Sequence, residues 1–388
     1  MTSAARAGLR VLHVVDSGER RGAEVFTSDL VRALNSAEVE QHVAVVRGGP
    51  PFQVGYEAPT TALGANGRGI PGIGVDVRAL ITLRRLVSGL RPSVVQTHGG
   101  ATLKYGVAAV GRHVPLVARQ IGLSARWATT GPRRVAQSGL MRRAARIAAV
   151  ADAVRAEVIG TFGIPGARVS TIPNGVDPVR LTPRESRQDT RSELGIASDA
   201  EVLLSVCALT WEKDPYAHLD ITRRLHPDRP RLVHLIAGDG PMRSEIEEQV
   251  RRLGLAGTVF ILGSRPDIAD LLQASDVLLF ASRSDGMEGM PGVVIEAGML
   301  EVPVAGYAIA GVGEVVGDGT TGLLVPAGNP GALADAVRRL IDDPDLRRSF
   351  GAAARERCCS RYAIDTVARQ YLDVYEALLS TQPVRGRR

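Results

Sequence analysis

Val277-Leu278-Leu279-Phe280-Ala281-Ser282-Arg283-Ser284-Asp285-Gly286-Met287-Glu288-Gly289-Met290-Pro291-Gly292-Val293-Val294-Ile295-Glu296-Ala297 passes through three local structures in 21 residues. Val277 to Ala281 is an apolar run too short for a helix and bounded by turn residues, so it reads as a buried strand. Gly286, Gly289 and Gly292, with Pro291 among them, make a turn. From Gly292 to Leu300 the apolar spacing is helical. A buried strand that runs through a glycine-rich turn into a helix is part of a strand-helix-strand unit, which belongs to a parallel sheet covered on both faces.

The alternation extends outward from this point. After it come strands at Val302 to Gly306 and Gly322 to Val325, with helices at Gly331 to Asp342 and Ile364 to Leu379. Before it come strands at Val202 to Cys207, Leu232 to Ala237 and Thr258 to Leu262, with a helix at Pro241 to Leu253. Further back, Ile172-Pro173-Asn174-Gly175-Val176-Asp177-Pro178 interrupts the pattern, and an earlier series precedes it. That series has strands at Leu9 to Val15, His42 to Val46, Ser93 to Thr97, Leu116 to Gln120 and Ile147 to Val150, and helices at Ala23 to Leu34 and Val75 to Leu90. Gly48 to Gly74, rich in Gly and Pro, reads as a long loop.

The fold class is therefore α/β, with two Rossmann-like doubly wound domains facing across a cleft. Residues 1–178 form the first domain and 179–363 the second; 364–380 is a C-terminal helix expected to pack back on the first, and 381–388 a basic tail. Ligands in such sheets bind outside the carboxyl ends of the strands.

Composition narrows the function. The chain has 388 residues, 45% hydrophobic and 23% charged, which excludes disorder and collagen-like repeats. The net charge of +6 is unevenly spread: residues 1–178 carry 22 basic and 11 acidic residues, whereas 179–388 carry 25 and 30. Only two of the 47 basic residues are lysines, Lys104 and Lys213, which favours a placed role for Lys213 in an arginine-rich chain, while Lys104 reads either as an acceptor contact or as a surface lysine. Three cysteines, Cys207, Cys358 and Cys359, make no disulfide framework or zinc spacing, and a reducing cytoplasm is the expected location. The longest uncharged apolar stretch, Val302 to Gly313, is about 12 residues against the roughly 20 that span a bilayer. Aromatics at 4% offer few stacking platforms, and no nucleic-acid partner is expected.

Some signals lead nowhere. Gly67-Arg68-Gly69-Ile70-Pro71-Gly72 matches the dinucleotide fingerprint in letters, but no strand precedes it and Pro71 lies inside it. The basic run from Arg133 to Arg146 has two readings, a dock for anionic lipid and a solvated helix face.

The turn from Ser282 to Ala297 carries chemistry. Free backbone amides at the helix start, around Gly289 to Val293, make an anion site. Glu296 lies about a turn into the helix, where a carboxylate can accept hydrogen bonds from a ribose, and Glu288 sits at the mouth.

Here the sequence resembles the retaining glycosyltransferases of family 4, which have the GT-B fold. Glu288 and Glu296 match that family's Glu, seven residues, Glu element. Ile172 to Asp177 looks like its interdomain turn, Ala237-Gly238-Asp239-Gly240-Pro241 like a strand-to-helix turn, and Gly311 to Val316 with Asp318 to Val325 like its last strand region. Lys213, in Cys207-Ala208-Leu209-Thr210-Trp211-Glu212-Lys213-Asp214, matches the lysine of its cationic pair; Ala208 stands where the family has arginine. His98, in Val94-Val95-Gln96-Thr97-His98-Gly99-Gly100, resembles the histidine that faces the donor sugar, and Arg21-Gly22-Ala23-Glu24 the loop whose amides approach the diphosphate.

The resemblance implies a retaining, metal-independent transferase with no cofactor. It would move a sugar from a UDP-, GDP- or ADP-sugar to a hydroxyl acceptor in polysaccharide, cell-envelope glycan or glycoconjugate synthesis, in the cytoplasm or at the inner face of a membrane. His98, Lys213 and Glu288 would be catalytic. Gly22, Gly240, Arg265, Met290, Pro291, Gly292, Val293 and Glu296 would bind donor, and Lys104 and Arg119 would meet the acceptor. A nonhydrolysing sugar-nucleotide epimerase and a degenerate nucleotide-binding regulatory protein are the alternatives.

Overall fold

Strands that are apolar along their whole length need cover on both faces, and the chain supplies helices to both. The computed structural model describes residues 8–65, 74–111, 114–124, 128 and 130–380. They divide into two compact units, 8–175 together with 364–380, and 176–363. The Gly67 to Gly72 sequence and the basic tail lie outside the described residues.

The first unit holds a parallel sheet of β1 (Arg10–Ser17), β2 (Glu40–Arg47), β3 (Thr60–Ala65), β4 (Val94–His98), β5 (Leu116–Gln120), β6 (Arg146–Ala149) and β7 (Val169–Thr171), in the order β3-β2-β1-β4-β5-β6-β7. Strand order reverses between β1 and β4, so ligand chemistry is expected at the carboxyl ends of these two strands. β3 corrects the long-loop reading of Gly48 to Gly74. Its residues are mostly half-exposed, as befits an edge strand, and carry no strong apolar alternation.

The helix Ile364–Ser380 is part of this unit. Val367, Tyr371 and Tyr375 are fully buried in one core with Val94, Val117 and Phe26, so the chain's end completes a domain begun at its start. Gly175 explains why a glycine follows Asn174. A Cβ there would lie 2.8 Å from Ile364 Cδ1 and 3.1 Å from Ile364 Cα, so the turn passes the helix start only without a side chain.

The second unit holds β8 (Glu201–Val206), β9 (Leu232–Ala237), β10 (Val259–Gly263), β11 (Val277–Phe280), β12 (Val304–Tyr307) and β13 (Gly322–Val325). They form a parallel sheet in the order β10-β9-β8-β11-β12-β13. Here the order reverses between β8 and β11. Their carboxyl ends feed the Trp211–Lys213 turn and the Gly286 to Gly292 turn, which is where Lys213 and Glu288 arise. Among the described residues no helix is long and apolar enough to cross a membrane.

Candidate functional site

In the second unit the two turns at the switch point are tied together. Arg283 N–H donates to the Glu212 carbonyl at 3.0 Å, and the Arg283 guanidinium stacks 4.5 Å above the Trp211 ring. Lys213 Nζ donates to Glu288 Oε2 in a close, largely buried ion pair. Burial pulls the Lys213 pKa down, but Glu288 outweighs it, so the pKa ends above its ordinary value and the lysine stays an ammonium. Burial, with Glu288 adding to it and Lys213 opposing it, pushes the neighbouring Cys207 thiol up to about 11, so it is neutral. Asp214 adopts a left-handed backbone at φ 48°, a conformation Asp tolerates, and its carboxylate caps the helix Pro215–Leu225.

The helix Gly292–Met299 begins at Pro291 with no side chain capping it. Orphan N–H groups at such an end favour an anion. Gly292 and Val293 are half-buried there, while Met290 and Pro291 are buried beneath them. Glu296, on the second turn, is paired with Arg180, whose Nη2 donates to Oε1 at 2.9 Å. Arg180 was not legible in the sequence: it lies 116 residues away and no local pattern marks it. Gly240 sits against the turn after β8, where a Cβ would lie 2.5 Å from the Leu209 carbonyl oxygen, so this crossing demands glycine. Arg265, just beyond β10, is held by Asp267, with Nε donating to Oδ1 at 2.8 Å.

Behind the Lys213 turn lies a buried polar chain that sequence reasoning missed. Ser205 Oγ is 2.8 Å from both His218 Nδ1 and His234 Nε2, and His234 Nδ1 is 2.6 Å from Thr222 Oγ1. The His218 ring also meets the Lys213 backbone carbonyl. Burial lowers the pKa of His218 to about 4 and that of His234 to about 3, so both are neutral at pH 7.

The first unit has a similar chain at its own switch point. Gln41 Nε2 donates to the Val31 carbonyl at 2.7 Å and to Asn35 Oδ1 at 2.6 Å, so its Oε1 is left to accept from His13 Nε2 at 3.1 Å. His13 Nδ1 lies 3.2 Å from His98 Nε2, and His98 Nδ1 lies 3.0 Å from Thr27 Oγ1, whose hydroxyl donates to the Ala23 carbonyl at 2.7 Å. Both His98 nitrogens are thus engaged inside the unit and the residue is 2% exposed. Burial, then His13 and Arg119, hold its pKa well below the ordinary value.

Arg119, opposite His98 in the β4–β5 register, is also 2% exposed. Its Nη2 donates to Asn174 Oδ1, its guanidinium lies 3.7 Å above the Phe26 ring, and burial lowers its pKa. Glu24, also buried, accepts from the Ser17 N–H at 3.2 Å. Gly22 opens the helix Gly22–Asn35 with free space around it, and the Lys104 ammonium is 3.6 Å from where a Gly74 Cβ would lie.

Two family descriptions match most of the chain: Glycosyltransferase Family 4 over residues 20–180 and Glycosyl transferases group 1 over 186–357. A D-inositol 3-phosphate glycosyltransferase of Kineococcus radiotolerans is 33% identical over 263 residues, covering 63% of this chain and 59% of that protein. A 2-deoxystreptamine N-acetyl-D-glucosaminyltransferase of Streptomyces fradiae is 30% identical over 233 residues, covering 59% and 55%. The chain thus spans less than two thirds of the length of these curated relatives. The Anabaena HepE crystal structure in complex with UDP superposes with a TM-score of 0.80 at 20% identity, covering 95% of this chain and 100% of that one, which shows a shared fold. With the GT-B fold, the matched family descriptions and the Glu288–Glu296 element together, the chain belongs to glycosyltransferase family 4, among the group 1 glycosyl transferases.

Proposed function

We propose that the protein transfers a sugar from a nucleoside diphosphate sugar to a hydroxyl acceptor, with retention at the anomeric carbon and without a divalent ion. The observation that carries the reading is the Lys213–Glu288 ion pair beside the uncapped helix start, at the carboxyl ends of β8 and β11. Departure of the diphosphate leaves negative charge, and a buried ammonium plus aligned N–H groups meet that demand. On donor arrival Lys213 exchanges Glu288 for phosphate, which frees the carboxylate for the sugar hydroxyls, while Glu296 accepts from the ribose. The acceptor hydroxyl attacks from the face the diphosphate leaves, and the leaving phosphate takes its proton. Gly240 and Arg265 border the nucleotide. His98 and Arg119 act from beneath, keeping the ends of β4 and β5 in place.

Acceptor recognition falls to the first unit in this proposal. Its excess of basic residues, with Lys104 half-exposed and Arg133, Arg134 and Val135 exposed on the helix Gly131–Met141, suits an anionic acceptor or an anionic membrane surface. UDP heads the panel to be tested, because HepE binds it. Thermal-shift screening of UDP-, GDP- and ADP-sugars, repeated in EDTA, is the test. One nucleotide class should stabilise the protein equally in EDTA and be consumed when an acceptor is added. Strict dependence on a divalent ion, or no stabilisation by any of the three, sinks the proposal.

A further inference from the structure

Glu296 comes with a partner that its position on the helix does not explain. Its carboxylate is mostly buried, with 13% of the side chain exposed, and Oε1 accepts from Arg180 Nη2 at 2.9 Å. Arg180 is itself mostly buried, with 22% of its side chain exposed, and reaches Glu296 from the segment that follows the Pro173-Asn174-Gly175 turn. Taking both charges out of water is expensive, and an apolar pair of equal volume would tie the segment to the helix at least as well. A guanidinium supplies something an apolar side chain cannot: a charged, rigid planar donor that holds the carboxylate by Oε1. With Oε1 held in this way, the direction of Oε2 is set as well, and among the described residues none donates a hydrogen bond to Oε2.

We infer that Arg180 is a positioning residue that aims Glu296 at the ribose of the donor nucleotide, and that the pair makes the site selective for ribonucleotides over deoxyribonucleotides. The inference rests on the donor-site reading proposed above and names a selectivity that the reading leaves open. Oε2 accepts from one vicinal ribose hydroxyl, and the Arg180 contact keeps the carboxylate in register for it. A neutral side chain at 180 leaves Glu296 free to rotate, so a ribose hydroxyl gains less from it.

The test is calorimetric binding of UDP, GDP and ADP, each beside its 2′-deoxy and 3′-deoxy counterpart, to the full chain. The wild type should prefer the cognate ribonucleotide to at least one deoxy form by about ten- to a hundredfold, the scale of a hydrogen bond to a charged group. Arg180→Met should cut that ratio to about threefold or less, and Arg180→Lys should fall between, because an ammonium keeps the charge and loses the plane. Glu296→Gln should also lose the preference, and the double variant should lose no more. The ratio separates aim from scaffolding, since general loosening weakens ribo and deoxy forms alike. If Arg180→Met does not fold, Arg180→Lys and Arg180→Gln carry the comparison. Tight ribonucleotide binding with the full preference retained in these variants overturns the inference and leaves the donor-site reading standing. Absence of any nucleotide binding by the wild type overturns that reading and this inference together.

Discussion

Mild acid should weaken the second unit through His218 and His234. In the folded unit both are fully buried around Ser205, with pKa values lowered by burial to about 4 and about 3 from an ordinary 6.5. Unfolded, each takes up a proton as the pH falls through 6.5; folded, neither does so until the pH nears its depressed value. The unfolded state therefore binds more protons across this window, and stability is lost as pH falls. At pH 5 the loss is about 2 kcal/mol for each histidine and about 4 kcal/mol for the pair, against a typical domain stability of 5–15 kcal/mol. Asp220 and Asp267, whose pKa values are held low by arginines even against burial, withdraw their own stabilisation only at lower pH, so pH 7 to 5 isolates the histidines. Urea unfolding followed by Trp211 fluorescence, with Trp127 replaced by Phe, reads this unit. A Ser205→Val/His218→Leu/His234→Leu variant, which refills the site with apolar groups, should lose most of the pH slope. A loss below about 1 kcal/mol between pH 7 and 5 in the parent, or an equal slope in the variant, would refute the reasoning.

Three further outcomes are expected. Lys213→Met and Glu288→Gln should each lower turnover by a hundredfold or more and destabilise the unit by about 1–3 kcal/mol, while the double variant recovers stability and not activity; full additivity in a double-mutant cycle would mean the two do not interact. Gly240→Ala should cost about 1–3 kcal/mol, since its Cβ meets the Leu209 carbonyl at 2.5 Å, and an unchanged melting temperature would contradict the crossing described. Tyr375→Ala removes a fully buried ring whose hydroxyl donates to Gln96, and should destabilise the first unit by about 3–5 kcal/mol; a loss under 1 kcal/mol would mean the terminal helix is not part of that core.

What the sequence made legible follows from locality. Val277 to Leu300 could be read as strand, turn and helix because apolar run, glycine turn and helical spacing follow one another in the chain. β3 escaped notice because Thr60–Ala65 is half-exposed at a sheet edge, where alternation is weak, and β7 because Val169–Thr171 is only three residues long. Lys213 and Glu288 could be named singly from their motifs, but their mutual ion pair spans 75 residues and depends on two turns meeting at the sheet's switch point. The Arg180–Glu296 pair and the His13–His98 contact are likewise long-range, spanning 116 and 85 residues. His98 shows the limit most clearly. Its place at a strand's carboxyl end could be read from the sequence, but its contacts with His13 and Thr27, 85 and 71 residues away, could not.

The most direct test of the central claim is the anomeric configuration of the transferred sugar. With the donor that stabilises the protein and an acceptor that triggers nucleoside diphosphate release, proton NMR of the fresh product reads the new glycosidic bond. An α-linked product from an α-linked donor, formed equally fast in EDTA, is the outcome predicted by a site that works through Lys213, Glu288 and helix-start amides. A β-linked product from the same donor would contradict it.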